Sequence, residues 1–470
     1  MRVLLVQPPT FAADPLTAYA TGSCVCGPQL GLLYLAAAVA DDHDVRIVDL
    51  NYLQRDLDTH VQMIRAIVRE VEAFDAQVVG ITTMANSYPF VLLLCDEIKR
   101  QCPDTFTVLG GHQATFTAEP TLRRFPSVDA VLRGEAESTF PTLLRKLAAP
   151  MSLEDVPGLV YRDEGEPRTV DSPPPVVDLD DLTRPAYHLV PPLSEYQYRP
   201  LLVRANILTT RGCPMRCVFC SVTNFWKAGY RRRRPDKVVD EARWLLEALG
   251  ARGLDLADDT FTLHPGHVRQ VCAGLRELHV EWFARSRVDL ADHSLIAEMA
   301  DGGCTKIFFG AESGSPPILE YIGKRITPEQ AVSSVRTARD NGIDSTVSFV
   351  FGFPPETRAD ILCSFELAER CLSAGASWVF FHRLTALPGT PLETELSTNL
   401  SLAGSYSAGP EVLSHPEYLQ SIKPMVEANP GIFPSFFSTR LEHFNDEREL
   451  LQFYVDEATK RGLEPVGFFL

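Results

Sequence analysis

The sequence has no uninterrupted apolar run long enough to cross a bilayer, which takes about 20 residues. Its opening stretch, MRVLLVQPP, is too short for a secretory h-region, and no small-residue cleavage site follows it. It reads as a first strand, and the expected location is the cytosol, away from membranes. Positive charge is scarce: 44 Lys and Arg stand against 61 Asp and Glu, a formal net charge of −17. Such a surface repels phosphate backbones and excludes a general nucleic-acid binder. The one basic run, Arg231 to Arg234, reads as a solvated turn stopped by Pro235. Internal repeats are absent. So is the case for a disulfide framework, because the 11 cysteines of an intracellular chain point to thiols and metal ligands.

What is present suffices for two or three domains: 470 residues, 45% apolar and 22% charged. Short β-rich runs alternate with helical patterns from the start. RVLLVQ (2–7), VRIVDL (45–50), QVVGIT (77–82), FTVLGG (106–111) and DAVLRG (129–134) predict buried strands. GLLYLAAAVA (31–40) and HVQMIRAIVREVEAF (60–74) predict crossover helices. The fold class is therefore α/β, and the first unit (1–150) is a doubly wound, Rossmann-like sheet of the flavodoxin type, which binds ligands beyond the strand carboxyl ends. Residues 151–200 are rich in Pro and Asp and predict a surface linker with one small hairpin around GLVYRDEGEPRTV. Six more strands, at 204–210, 253–258, 282–288, 306–312, 345–352 and 378–384, predict a partial (β/α)6 barrel over 201–395, with function at its strand carboxyl ends. Residues 396–470 predict a small, partly helical cap.

The densest chemistry is RGCPMRCVFCS (211–221), where Cys213, Cys217 and Cys220 fall on the loop after the first barrel strand. Thiolates are soft ligands that suit iron–sulfur centres. Three of them hold three irons of a four-iron cube and leave the fourth open; zinc would want a fourth Cys or His, and the loop has none.

CPMRCVFC resembles the signature of the radical S-adenosylmethionine superfamily. The resemblance implies a [4Fe-4S] cluster whose open iron chelates S-adenosylmethionine, an electron that cleaves its carbon–sulfur bond, and a 5′-deoxyadenosyl radical that abstracts a substrate hydrogen. That electron would come from an external reductant such as flavodoxin or ferredoxin. By the same resemblance Phe219, before the last cysteine, packs near the adenine, or else in the core. In GAESGS (310–315), Glu312 and Ser313 lie against the cofactor, while Ser313 or Ser315 can also cap the helix that starts at Pro316. In ADDTF (257–261), which replaces the usual Gly-Gly-Glu, Asp258 or Asp259 accepts from the cofactor amine or caps a helix. Arg287 clamps the methionine carboxylate or forms a surface ion pair. FGFPPET (351–357) and ALPGTPL (386–392) match family loops whose role is to shape backbone.

The amino-terminal half is similar to the cobalamin-binding domain of one large radical-enzyme class, through QPPT, GPQLGLLYLA, VDLN, GITTMANSY, VLGGHQAT and VLRGEAEST. Ser87, Gly110 and Gly111 would border cobalamin, and His112 would touch its periphery or cap a helix. The Asp-x-His-x-x-Gly box is missing, so cobalt has no expected lower histidine. Cys24 and Cys26 read as free thiols near the domain junction. The implied function is cobalamin-dependent radical C-methylation of a small or carrier-bound metabolite. The alternative is a non-methylating radical dehydration, rearrangement, cyclisation or oxidation. A non-catalytic cobalamin sensor has no use for an open cluster, and a tRNA-modifying enzyme is disfavoured by the acidic surface.

Overall fold

The structure, a computed structural model, describes residues 1–9, 28–53, 57, 59–149, 151–170, 178–196, 204–227, 229–396, 400–402, 416–439, 442–445 and 447–463. Cys24, Cys26 and the SPPPVV stretch (172–177) lie outside the described residues.

The five expected amino-terminal strands form: β1 (Arg2–Gln7), β2 (Asp44–Asp49), β3 (Val78–Thr83), β4 (Phe106–Gly111) and β5 (Ala130–Leu132). They pair in parallel in the order β2-β1-β3-β4-β5, a flavodoxin-type winding with a switch point beside β1. The hairpin expected in the Pro-rich stretch, β6 (Leu159–Asp163) and β7 (Glu166–Thr169), adds antiparallel to the outer edge and extends the sheet to seven strands. Helices cover both faces, as a buried parallel sheet requires. The helix His60–Phe74 shows why the pattern folds this way. Thr59 and Gln62 form a reciprocal capping box, and Met63, Ile64, Ile67, Val68, Val71 and Phe74 turn one stripe onto the sheet.

The six barrel strands form as well: β8 (Arg204–Ile207), β11 (Gly253–Leu256), β12 (Glu281–Arg287), β13 (Cys304–Glu312), β14 (Asp344–Phe351) and β15 (Trp378–Arg383), all parallel and in sequence order. Between β8 and β11 the two-residue strands β9 (Thr210–Arg211) and β10 (Arg231–Arg232) pair antiparallel. Alternation sorts the barrel strands. Ile207, Leu254, Ile307, Val347 and Phe381 join the core under the helices. Their neighbours face inward and carry polar groups, among them Asp255, whose carboxylate receives Arg285 at 2.9 and 3.3 Å. The same alternation turns His382 inward beside Phe380, since Phe381 packs on Phe349 and Phe365.

Two features depart from the expected layout. The run Arg231–Arg234 is not a solvated turn: because it enters a strand, its side chains alternate, and Arg231 and Arg233 turn inward while Arg232 and Arg234 face solvent. Arg233 pairs with Glu241 at 2.9 Å, with both side chains at least 94% buried. The carboxyl-terminal stretch is also divided. Tyr418, Ile422 and Val426 of the helix Pro416–Glu427 join the core over the first sheet, whereas Leu450, Tyr454 and Ala458 of the helix Glu447–Lys460 join the barrel core.

Candidate functional site

The cysteine loop hangs from the β9–β10 ribbon. Gly212 starts it at φ +88°, and a Cβ there would lie 2.1 Å from the Gly229 carbonyl, so only glycine lets the two arms approach. Hydrogen bonds fix the loop at several points. The Gly212 amide donates to Asp259 at 2.8 Å, the Val218 amide to Ile322 at 3.1 Å, and the Thr223 hydroxyl to Met215 at 2.7 Å. Cys213, Cys217 and Cys220 are all free thiols, and the Thr260 hydroxyl lies 3.6 Å from the Cys213 sulfur. Burial pushes the Cys217 thiol up, and the nearby Lys324 and Arg287 cations oppose it. Burial pushes Cys220 to about 11, opposed by the Val222 amide. Charge on Cys213 raises Cys217 further, and Cys213 and Cys217 both raise Cys220, so the three thiols stand near one another. Among the described residues no group of three or more His, Cys, Asp or Glu is gathered tightly enough for a single metal ion. A cube takes each thiolate on a different iron and spreads the sulfurs wider than one tetrahedral ion does. The soft donor set, the neighbouring cations and the reduced thiols fit such a cluster.

Of the residues expected to hold S-adenosylmethionine, Glu312 and Arg287 lie close enough to Cys217 for their charges to act on it. Glu312 ends β13 at φ +65°, 8% exposed, and its carboxylate receives the Lys324 ammonium at 2.7 Å. Arg287, at the end of β12, is bidentate to Asp289 at 2.9 and 3.0 Å and donates to the Lys324 carbonyl at 2.7 Å. The pair is buried, not the surface ion pair that the sequence offers as the alternative. Phe219 is half-buried and meets Phe353 edge-on, with centroids 6.0 Å apart. Ser313 is buried; its hydroxyl lies 3.2 Å from that of Ser364 and accepts the Ser315 amide at 3.1 Å. Ser315 sits at the N-cap, but its hydroxyl goes to Asp360 instead of the helix. Asp258 is spent inside the barrel. It accepts the amides of Thr209 and Thr210 at 2.8 and 2.9 Å and the Thr209 hydroxyl, with burial raising its pKa to about 6. Asp259 is likewise held by Gly212. The FGFPPET loop closes on itself: the Gly352 amide donates to Glu356 at 2.6 Å.

A half-open cleft, about 730 Å³ with the solvent at its mouth included, lies between the carboxyl ends of the first sheet and the residues that flank the cysteine loop. Its walls are small or apolar on the sheet side, with Gly80, Gly110 and Gly111, and aromatic on the barrel side, with Phe225 and Trp226. Gly111, at φ +92°, could not carry a Cβ, which would stand 2.7 Å from the Thr83 carbonyl. Of the residues expected to border cobalamin, Gly110 and Gly111 line this cleft. Ser87 is buried at the start of the helix Tyr88–Gln101, its hydroxyl 3.4 Å from the Met84 backbone. His112 opens the helix His112–Arg124 and stacks on Phe225 at 3.8 Å, and burial lowers its pKa to about 4, so it is neutral at pH 7. Open space against backbone and flat aromatic walls suit a large planar ligand with a nucleotide tail.

Sequence reasoning missed Lys324 and the acidic residues Glu135 and Glu137, which line the same cleft and pair with Arg211. The only local signal for Lys324 was a GK after a short helix. The acidic pair stood in view within VLRGEAEST, with nothing nearby to name its partners.

Comparison with known proteins agrees with this geometry. Residues 207–368 match the radical SAM superfamily and residues 18–144 the B12 binding domain. An uncharacterised methyltransferase of Pyrococcus horikoshii is 34% identical over 405 residues, covering 86% of this chain and 84% of that one. The anaerobic magnesium-protoporphyrin IX monomethyl ester cyclase of Rubrivivax gelatinosus is 27% identical, covering 86% and 71%. The cobalamin-dependent S-adenosylmethionine radical enzyme OxsB, solved with aqua-cobalamin and S-adenosylmethionine bound, shares the fold at a TM-score of 0.71 and 16% identity, covering 98% of this chain and 71% of that one.

Proposed function

Because the chain belongs to the radical S-adenosylmethionine superfamily, in the class that carries an amino-terminal B12-binding domain, we propose that it methylates a carbon of a small or carrier-bound metabolite. It is an enzyme of the cobalamin-dependent radical methyltransferase type, and its cofactors are a [4Fe-4S] cluster, S-adenosylmethionine and cobalamin. Together these supply a carbon-centred radical and a methyl group.

The chain's own residues arrange the rest. Cys213, Cys217 and Cys220 hold the cluster. Glu312, Arg287, Ser313 and Phe219 form the cofactor wall on the barrel side; Asp258 keeps that wall in place by tying Thr209 and Thr210, which follow β8, to the loop after β11. Gly110 and Gly111 let the corrin or its tail approach the sheet backbone, with His112 and Ser87 behind them. The polar barrel interior, with the Asp255–Arg285 pair and His382, receives the substrate, and the packed domain junction shields it from water. The one observation that carries this reading is the glycine-walled cleft against Arg211, Phe225 and Trp226, the residues that flank the cysteine loop. A one-electron carrier of the flavodoxin or ferredoxin type reduces the cluster, and the setting is the cytosol. No helix of the described residues is long and apolar enough to cross a membrane.

The test is anaerobic turnover with methyl-labelled S-adenosylmethionine and cobalamin. Label in a product supports methylation; 5′-deoxyadenosine without any labelled product moves the reaction to the second reading. That reading, a non-methylating radical cyclisation or oxidation, is favoured by the similarity to the cyclase.

A further inference from the structure

The β9–β10 ribbon closes the base of the loop that bears Cys213, Cys217 and Cys220, and its register sets Arg211 opposite Arg231. Residues directly opposite in an antiparallel pair project from the same face. Two guanidinium groups therefore emerge together, with side chains only 4% and 9% exposed, and repel each other out of reach of bulk water. The compensation comes from the other domain. Glu135, 6% exposed and just past β5, accepts Arg211 at 3.0 Å and Arg231 at 3.1 Å on one oxygen, and a second Arg231 nitrogen on the other. Glu137 takes the other terminal Arg211 nitrogen at 2.5 Å, so two guanidinium groups meet two carboxylates. One carboxylate of the first domain thus grips both arms of the ribbon. Glu135, Glu137 and Arg211 also line the cleft, and the Arg211 guanidinium lies 5.0 Å above the ring of Trp226, in the helix that follows Cys220.

We propose that Glu135 is a positioning residue that couples the cleft to the cysteine loop, so that a corrin in the first and an iron–sulfur cluster in the second favour each other. The proposal rests on the cobalamin reading of the cleft. A ligand there touches the clasp itself, and whatever fixes the clasp fixes the ribbon from which the three cysteines hang. Linkage makes the effect reciprocal.

Hydroxocobalamin affinity of the full chain is measured by equilibrium dialysis under anaerobic conditions, once with the cluster reconstituted and once iron-free. The wild type is expected to bind on the order of tenfold more tightly with the cluster present, a usual size for coupling. Glu135→Gln is expected to bind equally in both states. Because that variant leaves two buried guanidinium groups against one carboxylate, Glu135→Asp, which keeps the charge and shortens the reach, is measured beside it and is expected to give a ratio between the two. A wild-type ratio of one, or a wild-type ratio retained in a folded variant, overturns the coupling alone. A wild type that binds no hydroxocobalamin in either state overturns the coupling and the cobalamin reading together.

Discussion

Replacing Lys324 by methionine removes the cation that faces Glu312 across 2.7 Å in a pocket where the two side chains are 7% and 11% exposed. Glu312 would then be a buried, uncompensated carboxylate, because the next cation on that wall, Arg287, is already bidentate to Asp289. Breaking one side of a buried pair costs about 3–5 kcal/mol. Replacing both partners by neutral groups of similar volume is often close to neutral, because two desolvation penalties vanish with the attraction. The double variant Lys324→Met with Glu312→Gln is therefore expected to recover most of what the single Lys324→Met loses. The assay is urea unfolding of the iron-free protein, followed by tryptophan fluorescence, since Trp282 is fully buried in the barrel core. The interaction energy from the four proteins is expected to exceed about 2 kcal/mol, within the range for residues in direct contact. Additive effects, or a Lys324→Met cost below about 1 kcal/mol, would refute the claim that this pair is desolvated and matched.

Glu356 is 1% exposed, and burial pushes its pKa up to about 8, against the amides of Gly352 and Phe353. A carboxyl whose folded pKa lies above its ordinary 4.5 favours the fold while protonated, so its contribution falls as pH rises from 4.5 to about 8 and is flat above. Glu356→Gln is expected to gain a few kcal/mol on the wild type across that window, read as the difference between melting curves taken at the two ends; parallel curves would contradict it. Gly111→Ala forces a Cβ to 2.7 Å from the Thr83 carbonyl at positive φ, and is expected to cost more than about 1 kcal/mol and to abolish hydroxocobalamin retention on gel filtration. Cys220→Ala leaves two of the three thiolates and is expected to lose iron and sulfide after anaerobic reconstitution while the melting of the iron-free chain stays near wild type. Retention of four irons per chain would remove Cys220 from the ligand set.

The parts legible from sequence were those encoded within one element. Period-2 and period-3.6 patterns gave eleven strands and the helix His60–Phe74 because each strip is read against its own backbone. Cys213, Cys217 and Cys220 were visible because eight consecutive residues carry them. Nonlocal pairings were not visible. Glu135 meets Arg211 and Arg231 across 76 and 96 positions, and no local rule joins them. The four-arginine run reads as solvated because charge runs usually are; its burial depends on the ribbon register, which the partner strand sets. Asp258 stayed ambiguous for a related reason, since its acceptors are claimed by Thr209 and Thr210, almost fifty residues earlier.

The split carboxyl-terminal stretch bears on how the molecule comes off the ribosome. Tyr418, Ile422, Val426 and Phe433 complete the apolar layer over the helix Tyr88–Gln101, whose Tyr88 and Phe90 are fully buried. At translation rates of about 5–20 residues per second, the first sheet waits on the order of 15–60 seconds for that cover. A nascent chain with its first domain already folded therefore presents a sticky flank until residues 418–433 are made. Holdase chaperones should engage that flank, and stop codons placed shortly before Pro416 should yield aggregates even though both sheets are fully encoded.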